Sequence, residues 1–403
     1  MRGNMVLFKK VQIFILCSVG FIANGCVEAF EPQTVTFESA LVIDATITNE
    51  LKQQQILLSR TFAFEEEGPT AERNANVKIV DDIGNEFIFQ ETSAGTYIST
   101  TAFSAKTNSN YQLLVTTNNG RSYSSETMKL TPETQIDELY TERLFNDDGV
   151  EGMALFIDSF DPTGNSRNYR YEYEETYKII APNWGPNDLI GDPEGGCGVL
   201  IVRRENDEQV CYTTDKSNTL ILNNTNGFTE DRTSRFLVRF ISRDNYIISH
   251  RYSILVRQFV QSNEAYTFFE TLNSFSGAES LFSETQPGFL SGNVFSEDNS
   301  NEKVLGYFDV ASVSERRIFF NYDDFFPGES LPPYINPCQE NAPPLASPAG
   351  CILRALVTNN QVRYTSDNQQ PPPRGEGPYL VVPRVCGDCT EIGELAIPEF
   401  WTE

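Results

Sequence analysis

The sequence is poor in the residues that build histidine-rich metal sites and in those that bind nucleic acids. Its 403 residues include one His and four Met, which excludes a histidine-rich metal centre. Basic residues are also scarce, with 30 Lys and Arg against 56 Asp and Glu and a formal charge of −26. A chain with this charge repels nucleic acids and anionic lipid headgroups. Neither is therefore expected as a partner.

The apolar run near the N-terminus is too short to cross a membrane. Residues 11–22 are almost wholly apolar, whereas a spanning helix needs roughly 20 such residues. The run follows three basic residues and no acid, and it ends at small or polar residues before Cys26. This is the layout of a bacterial lipoprotein signal. We therefore predict a signal peptide at residues 1–25, a lipid on Cys26 and an extended tether at residues 26–36.

An alternative is an ordinary secretory signal with an incidental cysteine. Ala23 is a weaker residue than the Leu expected at the third position before the cleavage site, and Asn24 is unusual there. Cys17 is a poorer lipid acceptor, because the bulky Leu16 precedes it. How efficiently the signal is processed stays open, and Cys26 is the favoured site of lipidation.

Residues 37–132 are predicted to form a β-sandwich of the immunoglobulin-like or prealbumin-like type. Hydrophobic residues make up 39% of the chain and aromatic residues 12%, which is ample material for a core. Apolar and polar residues alternate in about seven short segments separated by turns, without a helical period. The predicted strands are Leu41–Ile47, Gln55–Arg60, Asn76–Val80, Glu86–Phe89, Gly95–Ser99, Tyr111–Thr116 and Arg121–Ser124.

Residues 133–403 are predicted to form a larger, β-rich domain with one clear helix. Between residues 169 and 174, three Tyr alternate with one Arg and two Glu, which predicts a strand with an aromatic face and a charged face. Ser262 is suited to cap a helix at residues 263–275, where apolar residues recur at helical spacing. The C-terminal tail ends near Trp401, whose exposure would be costly, so we expect it to pack on the domain.

The remaining cysteines predict disulfides, because an even number in an exported chain favours pairing. They are Cys197, Cys211, Cys338, Cys351, Cys386 and Cys389. Of the fifteen possible pairings, the one between sequence neighbours joins the first to the second, the third to the fourth and the fifth to the sixth. A redox Cys-x-x-Cys opens a helix after a strand, so Cys386 and Cys389 are interpreted as a structural disulfide. A zinc site is disfavoured, because a second Cys-x-x-Cys is absent.

Several short motifs give the chain a resemblance to a known family. They are the acidic stretch after Cys26, the strand Leu41–Ile47 leading to Thr48-Asn49-Glu50, Gly95-Thr96-Tyr97, Gly292-Asn293, Val304–Phe308, Cys386-x-x-Cys389-Thr390 and the terminal Phe400-Trp401. With these motifs the chain resembles the lipoproteins of domain-of-unknown-function family 4249 from Bacteroidota. The resemblance implies an outer-membrane lipoprotein that accompanies a TonB-dependent receptor carrying a carboxypeptidase-regulatory-like domain. It implies no catalytic residues.

Other candidate chemistry is weak. The only His, His250, follows Ser249 in a strand-like pattern without a nucleophile elbow, so a structural or surface imidazole is the better interpretation. Asp158 and Asp161 lie in a turn-forming segment where calcium is a minor possibility, since calcium needs several converging oxygens. Two carboxylates across a cleft could hydrolyse a glycoside, although with 56 acids such pairs arise by chance.

Aromatic residues in turns are a stronger functional signal. Trp184 lies in an Asn-Trp-Gly-Pro segment, and Phe325 and Phe326 precede Pro-Gly. These side chains could stack on a ligand or anchor a protein interface. Alternatively they fold back onto the core. The sequence leaves both interpretations open.

The sequence predicts a binding or accessory protein, with no cofactor and no enzymatic activity. The chain has no recognisable nucleophile motif, metal-ligand set or phosphate-binding loop. Together with the family resemblance, this favours a lipid-anchored protein that faces the cell surface and works with a TonB-dependent receptor. The alternatives are a carboxylate-based hydrolase of surface glycans and a structural or adhesion module of the envelope.

Overall fold

Strands make up most of the regular structure in the computed structural model, which describes residues 39–62, 66, 68–276, 290–369 and 377–403. Among these residues one helix has 14 residues, and the other α-helices have four to seven. The mainly β fold class with one clear helix is thereby confirmed. The predicted signal peptide at 1–25, the lipidation site Cys26 and the tether at 26–36 lie outside the described residues.

The N-terminal region consists of the seven predicted short strands and two additional strands of two residues each. Its strands are β1 (Leu41–Thr48), β2 (Gln55–Arg60), β3 (Thr70–Ala71), β4 (Asn76–Asp81), β5 (Glu86–Ser93), β6 (Thr96–Ser99), β7 (Asn110–Thr116), β8 (Ser122–Ser125) and β9 (Met128–Lys129). The main neighbours lie in the order β1-β2-β6-β5-β4-β7-β8. Alternate residues of these strands meet in a single core that includes Ile43, Ile79 and Tyr97. The sheet therefore folds around its own core, as the sandwich prediction requires.

The remaining elements form the larger C-terminal region. The strands are β10 (Ile136–Phe145), β11 (Glu151–Asp161), β12 (Asn168–Ile180), β13 (Asn187–Gly191), β14 (Val199–Arg203), β15 (Val210–Lys216), β16 (Ile221–Asn224), β17 (Asp231–Ser242), β18 (Arg251–Val260), β19 (Val294–Ser296), β20 (Val304–Asn321), β21 (Val362–Asp367) and β22 (Tyr379–Pro383). The α-helices are α1 (Asn263–Ser276), α2 (Tyr322–Phe325), α3 (Ile352–Thr358) and α4 (Arg384–Gly387). None of the helices in the described ranges has the length and apolar character needed to span a bilayer.

Strand β20 connects the two regions. Its first half runs parallel to β1, from the pair Leu41–Val304 to the pair Thr48–Ala311. Its second half, residues 312–321, runs antiparallel to β18. Phe308 belongs to the N-terminal core and Phe320 to the second core. The region predicted at residues 37–132 therefore takes part of its core from a strand about 170 residues later in the chain.

The second core lies between the β12-β18 part of the large sheet and the separate β10-β11-β17 sheet. The predicted alternation in β12 is confirmed, since Tyr169 and Tyr171 are fully buried in this core while Arg170 points to the opposite face. Glu175 is also buried there, and the Arg239 guanidinium donates two hydrogen bonds to it, 3.0 and 3.1 Å long. This pairing offsets the cost of burying the carboxylate.

The predicted helix and its cap are both present. The backbone N–H of Ala265 donates a 3.1 Å hydrogen bond to the Ser262 hydroxyl, as an N-cap requires. Ala265 and Phe268 pack against Tyr307 of β20. Helix α1 therefore lies against the sheet close to the point where β20 pairs with β1.

All six predicted cysteines form disulfides, but the pairing between sequence neighbours is wrong. The bonds join Cys197 to Cys351, Cys211 to Cys389, and Cys338 to Cys386. Strand pairing explains the difference for the second bond. Tyr212 forms a β-bridge with Glu394, which brings the tail beside β15 and places Cys389 next to Cys211. Cys386 and Cys389 therefore each bind a distant partner instead of each other.

The C-terminal tail packs on the sheet, as predicted. The Trp401 ring makes edge-to-face contacts with Tyr212 and Phe319, at centroid distances of 5.0 and 5.7 Å. The Phe400 ring lies 3.5 Å from the Arg317 guanidinium. The tail thus covers one end of the charged face of the β12-β18 sheet.

Candidate functional site

The described part of the chain contains a cleft of about 1280 Å³. One side consists of β1 and β2, the other of β12 and β18, and helix α1 forms a wall. Both strand pairs belong to the large sheet, in which β20 lies between β18 and β1. Arg257 of β18 also forms a 2.7 Å ion pair with Glu50 in the β1–β2 connection. The cleft therefore lies where β20 passes from one region to the other.

The wall formed by α1 is apolar. Phe268, Phe269, Leu272 and Phe275 line the cleft. Their spacing of one, three and three residues places them on one face of a helix. Leu272 is 39% exposed, and Leu57 on the facing strand β2 is 38% exposed. The cleft therefore offers uncovered apolar surface on both of its sides, which is typical of a binding site.

A nearly buried guanidinium lies at the base of this wall. Arg170 of β12 is 7% exposed, and its guanidinium lies 4.4 Å from the centroid of Phe259 and 5.0 Å from that of Phe269. The charge is paired with the carboxylate of Glu172. The Nε atom has no hydrogen-bond partner among the described residues. The two rings thus hold the cation in a fixed position through cation–π contacts.

Asp44 of β1 supplies a carboxylate to the opposite side of the cleft. It makes no hydrogen bond or ion pair with any described residue, and its neighbours on the adjoining strands are Leu57 and Tyr307. The surrounding walls partly desolvate Asp44 and so raise its pKa, while the charge of Arg170 opposes this shift and that of Glu172 adds to it. The side chain is nevertheless exposed to solvent, so Asp44 is a carboxylate without a protein partner that a ligand in the cleft can reach.

A second carboxylate, Asp309, lies buried close to Arg170. Its Oδ2 atom accepts a 2.9 Å hydrogen bond from Gln261, whereas its Oδ1 atom has no partner among the described residues. Burial raises the pKa of Asp309, and the charge of Arg170 opposes that shift. The surroundings of Arg170 are thus richer in carboxylates than one cation can neutralise.

The remaining charges that line the cleft have partners of opposite sign. Glu174 pairs with Arg317 at 3.4 Å, and Lys216 lies directly opposite Glu174 on β15. Arg257 contacts Glu315 at 3.2 Å in addition to Glu50. The arrangement can bind a ligand through apolar contacts and charge.

The loop aromatics predicted as interaction residues pack against the second core. Phe326 is 1% exposed, stacks on Tyr322 and lies 4.3 Å from the Arg143 guanidinium. Phe325 contacts Phe320 edge to face, and Trp184 is partly buried against the same core. The Phe326 ring is therefore folded back onto the core, whereas Phe325 and Trp184 are only partly buried and their role in an interaction stays a prediction.

The predicted calcium turn is held together by hydrogen bonds from the protein itself. The Asp161 carboxylate accepts hydrogen bonds from the backbone N–H groups of Thr163, Asn165 and Ser166. Asp158 instead accepts from the backbone N–H of Arg235. The two carboxylates thus do not converge on one point. Across the described ranges, no three His, Cys, Asp or Glu side chains are grouped to hold a metal ion.

His250 lies in a second, smaller cavity of about 550 Å³. Burial lowers its pKa, and the nearby charge of Lys178 lowers it further. Its backbone carbonyl accepts a hydrogen bond from Tyr322, so the residue helps to place α2. Ser249 and Asp323 line the same cavity, and the polar walls expose little apolar surface for a ligand.

Sequence reasoning did not identify the cleft. The charged face of β12 was predicted, but nothing in a period of two shows that α1 covers part of this face. Phe268 and Phe269 were interpreted only as helix positions. The available signal was the combination of a charged strand face with an aromatic helix a little later in the chain.

Comparison with known proteins gives a family and little else. The family model described as "Domain of unknown function (DUF4249)" matches residues 27–317. This range includes every element that lines the cleft and ends before the last four cysteines. No curated protein matches the chain. A crystal structure of a DUF4785 family protein from Legionella pneumophila aligns at 8% identity with a TM-score of 0.17. The alignment covers 54% of this chain and 51%, about half, of that one.

Proposed function

The chain belongs to the DUF4249 family, and we propose that it is a binding protein of the bacterial cell envelope. The observation that carries the proposal is the cleft of about 1280 Å³, with its apolar wall on α1 and the Asp44 carboxylate facing it. Concave sites that combine exposed apolar surface with a few fixed polar groups are typical of ligand binding. In this function the cleft holds the ligand and does not transform it.

An anchored position in the outer membrane, facing the cell surface, is part of the proposal. The signal-like residues 1–25 followed by Cys26 support a lipid anchor. The three disulfides suit an oxidising compartment outside the cytoplasm. The strongly acidic composition keeps the body of the protein in solution beside an anionic membrane.

The partner in this proposal is a TonB-dependent receptor in the same membrane. The support is the family resemblance, which associates such lipoproteins with receptors of this class. The protein would act as an accessory subunit that captures cargo or gates the receptor. A lipid on Cys26 would confine both proteins to one surface and raise their effective concentration.

Hydrolysis of surface glycans is less well supported by the geometry. The three acids that line the cleft are Asp44, Glu172 and Glu174, and two of them are held in ion pairs. An inverting or retaining hydrolase needs one carboxylic acid and one carboxylate placed across the substrate. A purely structural role in the envelope leaves the exposed apolar surface of the cleft without a use.

The proposal is tested by affinity purification of the tagged protein from gently solubilised outer membranes, followed by mass spectrometry. We expect stoichiometric recovery of one TonB-dependent receptor, and loss of that receptor when Cys26→Ser removes the lipid. A matched sample carrying Asp147→Asn, an exposed acid in the β10–β11 hairpin, should retain the receptor. Recovery of the protein alone from wild-type membranes would contradict the receptor partnership.

A further inference from the structure

We propose that the cleft binds a peptide segment in which a Lys or Arg side chain is flanked by apolar side chains. The cationic group pairs with Asp44, and the apolar side chains cover Leu57 and the wall of α1. This inference rests on the proposed binding function and names the class of ligand.

The charged side chains that line the cleft favour a ligand with a positive charge. Each other charged side chain that lines the cleft has a counter-charge among the described residues, through an ion pair or a cross-strand neighbour. Asp44 is the exception. The cation whose charge acts on Asp44 is Arg170, which is already paired with Glu172 and also acts on the buried Asp309. A ligand that brings a positive charge therefore removes an imbalance, and one that brings a negative charge enlarges it.

The neighbours of Asp44 require that the cation be carried on an apolar segment. Leu57 and Tyr307 lie beside Asp44 in register on the two adjoining strands. Leu57 is 38% exposed, and Leu272 across the cleft is 39% exposed. Covering such surface stabilises a complex by about 25 cal/mol per Å² of apolar area removed from water. A small hydrated cation leaves this surface uncovered, whereas the side chains next to a Lys or Arg in a peptide can cover it.

The size of the cleft and its polar rim favour a peptide over a small molecule. The volume of about 1280 Å³ exceeds the roughly 300–1,000 Å³ usual for small-molecule sites. Gln53 and Gln55 lie exposed on one rim, and Asn218 and Thr219 on the other. Amide and hydroxyl groups of this kind can both donate to and accept from a peptide backbone. The overall charge of −26 also speeds encounters with basic segments and slows those with acidic ones.

The test uses the detergent-solubilised full-length protein and three fluorescein-labelled octapeptides in fluorescence anisotropy. The first peptide has one Lys between two Phe, the second has Glu in place of Lys, and the third has Ser in place of both Phe. We expect the Lys peptide to bind at least about tenfold more tightly than either of the others. One lost charged contact corresponds to about a tenfold change in Kd.

Matched variants assign the effect to the cleft. Asp44→Asn keeps the shape of the side chain and should weaken the Lys peptide about tenfold without weakening the Glu peptide. Phe269→Ala should weaken every peptide that binds, and Asp147→Asn should change none. Equal affinity for the Lys and Glu peptides, no binding of either peptide, or an unchanged Kd in Asp44→Asn would overturn the inference. The receptor purification above would still decide the proposed function, since it does not depend on these peptides.

Discussion

The carboxylate of Asp388 is predicted to stabilise the C-terminal part of the fold, and its contribution can be titrated. Asp388 is 1% exposed and accepts hydrogen bonds from Thr390 and Arg384, and the Arg363 guanidinium also pairs with it. Burial alone would raise its pKa, but hydrogen bonds from Thr390 and Arg384, together with the charge of Arg363, lower the pKa from 3.8 to about 2. At about 1.4 kcal/mol per pKa unit, the ionised carboxylate contributes about 2 kcal/mol at neutral pH.

The sign of the pH dependence follows from the lowered pKa. The stabilisation is fully present above about pH 4 and is lost as the pH falls towards 2. The reason is that the carboxylate becomes protonated near pH 4 in the unfolded protein but only near pH 2 in the folded protein. Asp388→Asn should therefore lower the free energy of unfolding by about 2 kcal/mol at pH 7 and pH 5. The difference from wild type should shrink between pH 4 and pH 2.

The assay is urea unfolding of wild type and Asp388→Asn at pH 7, 5, 3 and 2, followed by tryptophan fluorescence. Asp147→Asn serves as the control, because this acid is exposed in the β10–β11 hairpin and should show no such difference. A variant as stable as wild type at pH 7 would refute the reasoning. So would a deficit that stays constant down to pH 2, since that would show a packing effect in place of an ionic one.

Three further predictions concern stability in urea or heat. Gly306→Ala should destabilise the fold by about 3 kcal/mol or more, because its φ is +104° and a Cβ would lie 1.8 Å from the Ile43 carbonyl oxygen; Gly84→Ala, with φ +89° and nothing within 4 Å, should cost far less. Trp401→Ala should cost about 3 kcal/mol and increase proteolysis of the tail, and unchanged protease resistance would contradict its packing role. Ser262→Ala should cost about 1 kcal/mol and speed amide exchange in the first turn of α1, whereas unchanged exchange would show that the cap is dispensable.

Local sequence signals predicted the elements whose pattern lies within one segment. The seven N-terminal strands alternate with period two, and helix α1 carries both its cap and its apolar spacing. Strand β20 carries the polar residues Ser312 and Ser314 in the middle of its apolar pattern, so its length is not evident from that pattern. Both hydroxyls are buried and donate hydrogen bonds to backbone carbonyls, of Pro132 and Thr134 respectively. The strand can continue through these polar residues because a segment 180 residues earlier in the chain accepts the hydrogen bonds of both hydroxyls.

The site and the disulfide pairing depend on contacts between distant segments. The periodic spacing of apolar residues within one segment does not predict such contacts. The pairing of Cys338 with Cys386 follows from the packing of the loop after α2 against α4, and a preference for sequence neighbours fails there. Phe326 illustrates the same limit. Its Pro-Gly context indicates a turn, but the direction of the side chain is fixed by Tyr322, by Arg143 of β10 and by Arg243, which follows β17.

One close backbone contact explains two of the short motifs that give the family resemblance, Gly292-Asn293 and Val304–Phe308. Gly292 and Gly306 meet so closely that a Cβ on Gly292 would lie 1.6 Å from the Gly306 carbonyl oxygen. Next to this contact, the side-chain amide of Asn293 donates to and accepts from the backbone of Phe308, both at 2.8 Å. The Gly292–Gly306 contact and the Asn293–Phe308 hydrogen bonds, which together we call the clamp, therefore hold the start of β20 in place.

This clamp sets the geometry of the candidate site. The start of β20 is the segment that pairs with β1, and Tyr307 lies in register with Asp44. Any residue larger than Gly at position 306 would push β20 away from the Ile43 carbonyl and shift Asp44 relative to Arg170 and α1. The close contact thus controls the distance between the carboxylate and the apolar wall that the proposed peptide must span. Gly306→Ala should accordingly weaken binding of the Lys peptide even in the fraction of protein that stays folded. Full affinity in that fraction would show that the clamp does not control the geometry of the site.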